Sequence, residues 1–422
     1  MIVNQMIGTT KGSLQIGFFL LLLAGLGCGE SGIATRPVES EVVAYAMPWP
    51  HVLTREGVSV YYSEGLDQQA AWFAKATARQ LAEVRTRTGF EFGPGKANVY
   101  LKLLEPGAPN TRPVIWAWES LLLVEPGKTS CLDIIAMKNN WPFPGGFMHE
   151  SVEASLTFGP TPRLLLDDKR KTFWGGTQND FHYTRWFREG FASYAGFLAC
   201  KVTVVDEGPD ADQMRAEVFK YTEMMPFTAL ATVGTRIFMW NQYQGYTGQD
   251  MRDGDDDFEP GEVHTENSYY GASLALFLVI EDRYGQDAIR EIIQKVNKLE
   301  NGSGEDLKRI VREVLGTDIV ELVNTFRFPK TGMKLVALWD STPIPGSDVK
   351  RGLWVDEVGA DGPAQRAGIL KDDVIISLDG DRMVNSFDFE FALYKRMQQQ
   401  SVKIGLWRKG VGHMTVEMEV RE

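Results

Sequence analysis

The chain has 422 residues, of which 44% are apolar and 24% charged; that suits a folded protein of two or three domains and excludes global disorder or a collagen-like chain. Lys and Arg number 44 against 56 Asp and Glu, a net charge of −12. With no Lys/Arg run, nucleic acid is a poor partner, because phosphate binding needs clustered positive charge; three cysteines cannot support a disulfide scaffold.

Residues 1–28 read as a targeting segment. Lys11 is their only charge, and 16–26 form an apolar run, IGFFLLLLAGL. The run is shorter than the roughly 20 residues that span a bilayer, so it reads as the core of a signal peptide. It ends at Gly25-Leu26-Gly27-Cys28, which resembles a bacterial lipoprotein cleavage box, with Gly25 where that box prefers Leu. The resemblance implies a lipid anchor on Cys28 and a place in the cell envelope or periplasm. Plain secretion and an uncleaved anchor are the alternatives. Export permits a disulfide between Cys131 and Cys200 without requiring one.

Residues 29–50 are rich in Pro, Gly and small side chains and read as a tether. A strand is predicted at 58–62. The stretch 66–88 has helical periodicity, with Ala70, Trp72, Phe73, Ala76, Leu81 and Val84 on one stripe. Further strands are predicted at 98–104, 121–124 and 131–136. From 147 the pattern turns helical, over 147–157, 181–199, 211–224, 267–284, 286–299 and 304–327. The fold class is therefore α+β: a mixed sheet, then a helical subdomain, together 51–335. Residues 336–347, which include STPIPGS, read as a linker, and 348–422 as a small final unit of strands and one helix. The acidic stretch 249–262 places Asp253, Asp255 and Asp257 like the start of a calcium loop. Phe258 and His264 stand where such a loop needs Gly and Glu, so it reads as a solvated loop.

Chemistry concentrates at Phe147-Met148-His149-Glu150-Ser151-Val152-Glu153. On a helix His149 and Glu153 share a face, with Glu150 beside it. This is the layout of the zinc motif HExxH, in which two ligands hold the metal and the intervening Glu deprotonates water. Here the second ligand is Glu153, giving HExxE. Carboxylate oxygen binds zinc at about 2.0–2.2 Å, and its charge weakens the metal as a Lewis acid. Glu153 can equally pair with an Arg.

The second segment, Arg185-Trp186-Phe187-Arg188-Glu189-Gly190-Phe191-Ala192-Ser193-Tyr194, resembles the second motif helix of the gluzincin metallopeptidases, the clan of the membrane alanyl and glycyl aminopeptidases. The resemblance implies Glu189 as third zinc ligand. The interval from Glu153 is longer than in the aminopeptidases, and a surface loop tolerates such an insertion. Downstream, Ser268-Tyr269-Tyr270-Gly271-Ala272 is similar to the helix whose Tyr hydroxyl donates to the oxyanion in that group. Tyr269 aligns best and Tyr270 is the second choice. Three readings of the centre stay open: zinc on His149, Glu153 and Glu189 with Glu150 as base; completion by another histidine, His182 or His264; or a metal-free scaffold. The Gly-Ala-Met-Glu-Asn segment that holds a substrate amino terminus in the exopeptidases is not present.

Residues 348–422 resemble a bacterial-type PDZ domain through Gly352-Leu353-Trp354-Val355 and the run from Gly362 to Gly380, GPAQRAGILKDDVIISLDG. Asp372 stands where Gly is usual. The resemblance implies capture of an extended peptide by its terminal carboxylate, here on a loop at Arg351, Gly352, Leu353 and Trp354. Together the two units imply zinc-dependent peptide hydrolysis in the envelope with PDZ-mediated recognition. The alternative is an inactive peptidase-like scaffold that binds peptides or protein partners.

Overall fold

The computed structural model describes residues 49–92, 97–103, 114–116, 119–124, 145–157, 162–164, 183–203, 221–222, 225–240, 266–338, 349, 352–383 and 385–420. The predicted leader, the tether before 49, the strand at 131–136, the acidic stretch, Cys28, Cys131, His182, His264 and Arg351 lie outside these residues. Residues 49–242 and 267–422 belong to one compact unit. No helix among the described residues is long and apolar enough to cross a membrane.

The first sheet has strand order β1-β2-β3-β5-β4, with β1 His51–Arg55, β2 Val58–Tyr62, β3 Ala97–Leu103, β4 Val114–Trp116 and β5 Glu119–Val124. β1 and β2 form a hairpin, while β2–β3 and β3–β5 are parallel. The parallel step from β2 to β3 needs a crossover, and α1 (Asp67–Thr88) supplies it. The predicted stripe on α1 is buried: Ala70, Trp72, Phe73, Ala76, Leu81 and Val84 are each at most 7% exposed. Gly89 ends the helix in the left-handed conformation, φ 67°, where glycine bears no Cβ penalty.

The helical part contains α2 (Gly145–Thr157), α3 (Arg185–Val202), α4 (Ala229–Val233), α5 (Glu266–Tyr284), α6 (Gln286–Val296), α7 (Gly304–Leu315) and α8 (Ile319–Asn324). α5 has no polar face through its middle: Leu274 to Ile280 are all buried, as suits a helix surrounded by protein. Phe277 meets Phe187, Phe191 and Tyr194 of α3 at ring distances of 5.3, 5.8 and 5.9 Å. The helix predicted as continuous over 304–327 is two. Gly316 closes α7 at φ 70°, and the Asp318 carboxylate accepts from the Val320 N–H to start α8. Both are ordinary stop and start devices that an unbroken apolar periodicity conceals.

The C-terminal sheet has order β11-β10-β8-β7-β6, with β9 beside β8. Its strands are β6 Met333–Leu338, β7 Gly352–Val358, β8 Val374–Leu378, β9 Asp381–Arg382, β10 Ser401–Arg408 and β11 Gly412–Glu419. Helices α9 (Pro363–Arg366) and α10 (Ser386–Tyr394) complete it. β6 corrects the predicted boundary. Residues 333–338 pair with β7 along their whole length, so this unit begins before the predicted linker.

α10 also packs against the helical part. Phe227, fully buried, is ringed by Phe326, Phe328, Phe387, Phe391 and Tyr394 at 5.3–6.1 Å. The Thr228 N–H donates to Glu390 Oε2 at 3.0 Å, and Asn385 Nδ2 donates to Thr222 Oγ1 at 3.4 Å.

Candidate active site

α2 and α3 pack side by side. A side chain at Gly190 would meet Ser273 and Phe277 of α5 at 3.0 Å, so the glycine after Glu189 lets α5 close on α3 next to the site. His149 and Glu189 are 1% and 2% exposed. The His149 Nε2–H donates to Glu189 Oε2 at 3.1 Å. On the other edge of the ring, Nδ1 lies 3.0 Å from the Tyr221 hydroxyl and 3.4 Å from Ser193 Oγ. Ligand atoms of His149, Glu153 and Glu189 lie within 4.8 Å of one another.

Two arginines from α3 enter the same site, and both are fully buried. Arg188 Nη1 donates to Glu153 Oε1 at 2.6 Å, and Arg185 Nε donates to Glu189 Oε1 at 3.2 Å. The Arg185 guanidinium lies 4.2 Å from the ring centre of Trp240. A buried charge is costly unless paired, and here the pairing is internal.

The electrostatics reflect burial opposed by these neighbours. Burial alone would raise Glu189, but the His149 hydrogen bond and then Arg185 hold it at about 2. Glu150, half-buried beside His149, is pushed up to about 8, chiefly by burial, with Glu153 and Glu189 adding and His149 opposing. Glu153 is raised by burial and by Glu189 against the pull of Arg188. His149 is lowered by burial, but its bond to Glu189 and the surrounding carboxylates leave it raised. Two guanidiniums thus face the carboxyl groups of Glu153 and Glu189.

The donor set fits a divalent cation of the zinc type. It offers one imidazole nitrogen and two carboxylates. Arg185 and Arg188 bond the Oε1 atoms of Glu189 and Glu153, and the second ring nitrogen of His149 has its own partner, the outer-shell arrangement metal-binding histidines use.

The structure places the two candidate tyrosines differently. The Tyr270 ring lies 5.8 Å from that of His149 and 5.0 Å from that of Trp240, while Tyr269, 2% exposed, packs on Trp240 at 5.5 Å. Adjacent helical residues point about 100° apart, and Tyr270 takes the side toward His149. Arg185, Arg188 and Tyr221 were not among the predicted site residues. The spacing of Arg185 to Glu189, four residues on one helix, is the signal that reveals the first.

The described residues of the predicted PDZ loop lie within the sheet. Gly352, Leu353 and Trp354 lie in β7, which has β6 on one side and β8 on the other; Leu353 is a fully buried core residue. Their backbone is committed to the sheet, and among the described strands the free edge on this side is β6. Asp372 adopts φ 71°, the conformation that favours glycine, and its carboxylate accepts from Trp354 Nε1 at 3.1 Å. Cys200 is a buried free thiol, pushed up by burial, which makes it unreactive.

Residues 332–420 match the family model of the PDZ domain, so the C-terminal unit is a PDZ domain. The serine protease Do-like HtrB of Bacillus subtilis (strain 168) is 30% identical over 103 residues, 24% of this chain and 21% of that protein. The chain thus spans about a fifth of the length of the curated relative it matches. Among solved structures, the HtrA3 PDZ domain bound to a phage-derived ligand is 22% identical, with a TM-score of 0.20, over 22% of this chain and 85% of that one. An aminopeptidase N family protein from Idiomarina loihiensis is 14% identical, with a TM-score of 0.37, over 88% of this chain and 66% of that one.

Proposed function

We propose that the chain is a metal-dependent peptide hydrolase of the cell envelope, exported by its leader, anchored through a lipid on Cys28 and guided to its substrates by the PDZ domain. One observation carries this reading: His149, Glu153 and Glu189, from two neighbouring helices, bring a nitrogen and carboxylate oxygens within 4.8 Å of one another. Those three residues would hold zinc. When bound, zinc supplies Lewis acidity toward a carbonyl and positive charge that keeps Glu150 ionised. Glu150 takes the proton from the water that attacks the peptide carbonyl and passes it to the leaving amine. The Tyr270 hydroxyl donates to the developing oxyanion. At the PDZ domain, an extended peptide adds as a strand along the free edge of β6, beside α10.

The test is metal content with activity. The purified chain loaded with zinc should retain about one ion and cleave peptides. Glu189→Ala should lose the ion, and Glu150→Gln should keep it while losing cleavage. Chain that stays metal-free and inactive would overturn the reading. One observation favours a second reading, a peptidase-like scaffold that binds without cleaving: Arg185 and Arg188 already balance Glu189 and Glu153. Metal-free chain that still binds peptides would establish it.

A further inference from the structure

Tyr221 stands outside every motif of the sequence, yet its ring is closely enclosed beside His149. It is 3% exposed. A Cβ on Gly145 would lie 2.5 Å from its ring, and a Cβ on Gly196 would lie 2.6 Å from its Cζ and hydroxyl oxygen. No real side chain tolerates such distances, so both glycines are required by the ring. Gly145 is the first residue of α2 and Gly196 lies on α3, so the slot is built from the two helices that carry His149 and Glu189. Thr222, next in the chain, is tied to Asn385 of the PDZ domain at 3.4 Å. The slot delivers the Tyr221 hydroxyl to His149 Nδ1 at 3.0 Å.

We infer that Tyr221 is a positioning residue for His149, whose hydroxyl holds the imidazole in place in both of its neutral tautomers. Glu189 is a carboxylate and only accepts, so the hydrogen of neutral His149 sits on Nε2 as the chain stands, and Nδ1 accepts from the Tyr221 hydroxyl. A histidine that ligates through Nε2 must carry its hydrogen on Nδ1. Nδ1–H then donates to the Tyr221 oxygen, and the hydroxyl hydrogen turns away from the ring toward Ser193, whose Oγ lies 3.4 Å from the same Nδ1. A hydroxyl both donates and accepts, so it serves either state; a carboxylate in its place would serve only the second. The metal half of this inference rests on the hydrolase reading above, and the metal-free half does not.

The experiment uses the full chain labelled with 15N-histidine, the His149 signals being assigned by their loss in His149→Gln. In metal-free wild type, at a pH high enough that His149 is neutral, we expect a single Nε2–H tautomer with a hydrogen-bonded Nδ1. A tautomer mixture there would overturn the inference without any variant. Tyr221→Phe keeps the ring that fills the slot and removes only the oxygen. It should shift the Nδ1 resonance, and in competition with a chelator it should weaken zinc binding about 10- to 100-fold, the usual cost of losing an outer-shell partner. Unchanged His149 resonances in Tyr221→Phe would overturn the inference. Wild type that binds no zinc but shows the expected resonance shift would refute the hydrolase reading and leave the positioning role standing.

Discussion

Arg188 reaches from α3 to the Glu153 carboxylate on α2 at 2.6 Å, from a fully buried position. Glu153, which stands where the pattern HExxH has its second histidine, therefore has a cation partner of its own. Removing one member of a buried pair costs about 3–5 kcal/mol, because the other charge is left uncompensated. Arg188→Met should lower the unfolding free energy by that order. The double variant Arg188→Met, Glu153→Leu should recover most of it, since apolar replacement of a whole buried pair is often neutral. Urea unfolding of the three chains decides; equal losses in the single and double variants would show that the pair is not coupled.

Histidine at position 153 would disturb the same pair. Glu153→His alone leaves Arg188 with no carboxylate and sets an imidazole against a guanidinium. The variant should be less stable than wild type and should bind zinc no more tightly. Adding Arg188→Gln should raise zinc affinity above that of Glu153→His alone. Chelator competition measures both. Tighter binding in the single variant, at unchanged stability, would show that Arg188 does not restrain the site.

How much of the fold and site is legible in the sequence depends on the range of the signal. α1 can be read from its apolar stripe, and α5 from its long apolar run closed by Gly285, because both signals are local. His149, Glu153 and Glu189 can be read because two short motifs each carry their own spacing, and the pairing of Glu153 with an arginine is one of its possible roles. The break between α7 and α8 is hidden because the apolar period resumes after Gly316. β6 is hidden because a Pro-rich stretch just after it looks like a linker, so the PDZ domain is predicted to start later and its edge strand is misplaced. Tyr221 cannot be read at all: its role exists only where Gly145 and Gly196, distant in sequence, close around its ring.

Tyr270 and Tyr269 separate by rate. If Tyr270 donates to the oxyanion, Tyr270→Phe should lower kcat about 10²- to 10³-fold with little change in KM. Tyr269→Phe, which alters a ring packed on Trp240, should act on stability and leave kcat near wild type. Steady-state kinetics with a peptide substrate test the contrast, and the reverse pattern would return the role to Tyr269.

The aromatic cluster about Phe227 joins the PDZ domain to the helical part. Phe227→Ala removes a fully buried ring, at about 3–5 kcal/mol. The loss falls on the junction, so thermal unfolding that is one transition in wild type should split into two. A single transition lowered in temperature would place the cost within one domain.

Glu390 sets a pH dependence on that junction. Burial pushes its carboxyl up to about 7, against the opposing hydrogen bonds from Thr228 and Phe227. Unfolded, it titrates near the ordinary 4.5. Between these values the folded chain binds more protons than the unfolded one, so stability falls as pH rises through this window. The contribution is complete below about pH 4.5 and lost above about pH 7, and its upper limit is about 3 kcal/mol from the size of the shift. Glu390→Gln keeps an acceptor for the Thr228 N–H and cannot ionise. The difference in unfolding free energy between wild type and variant should therefore grow from pH 5 to pH 8, wild type becoming the weaker. Urea unfolding at several pH values tests it, and a difference independent of pH would show that Glu390 does not titrate in this range.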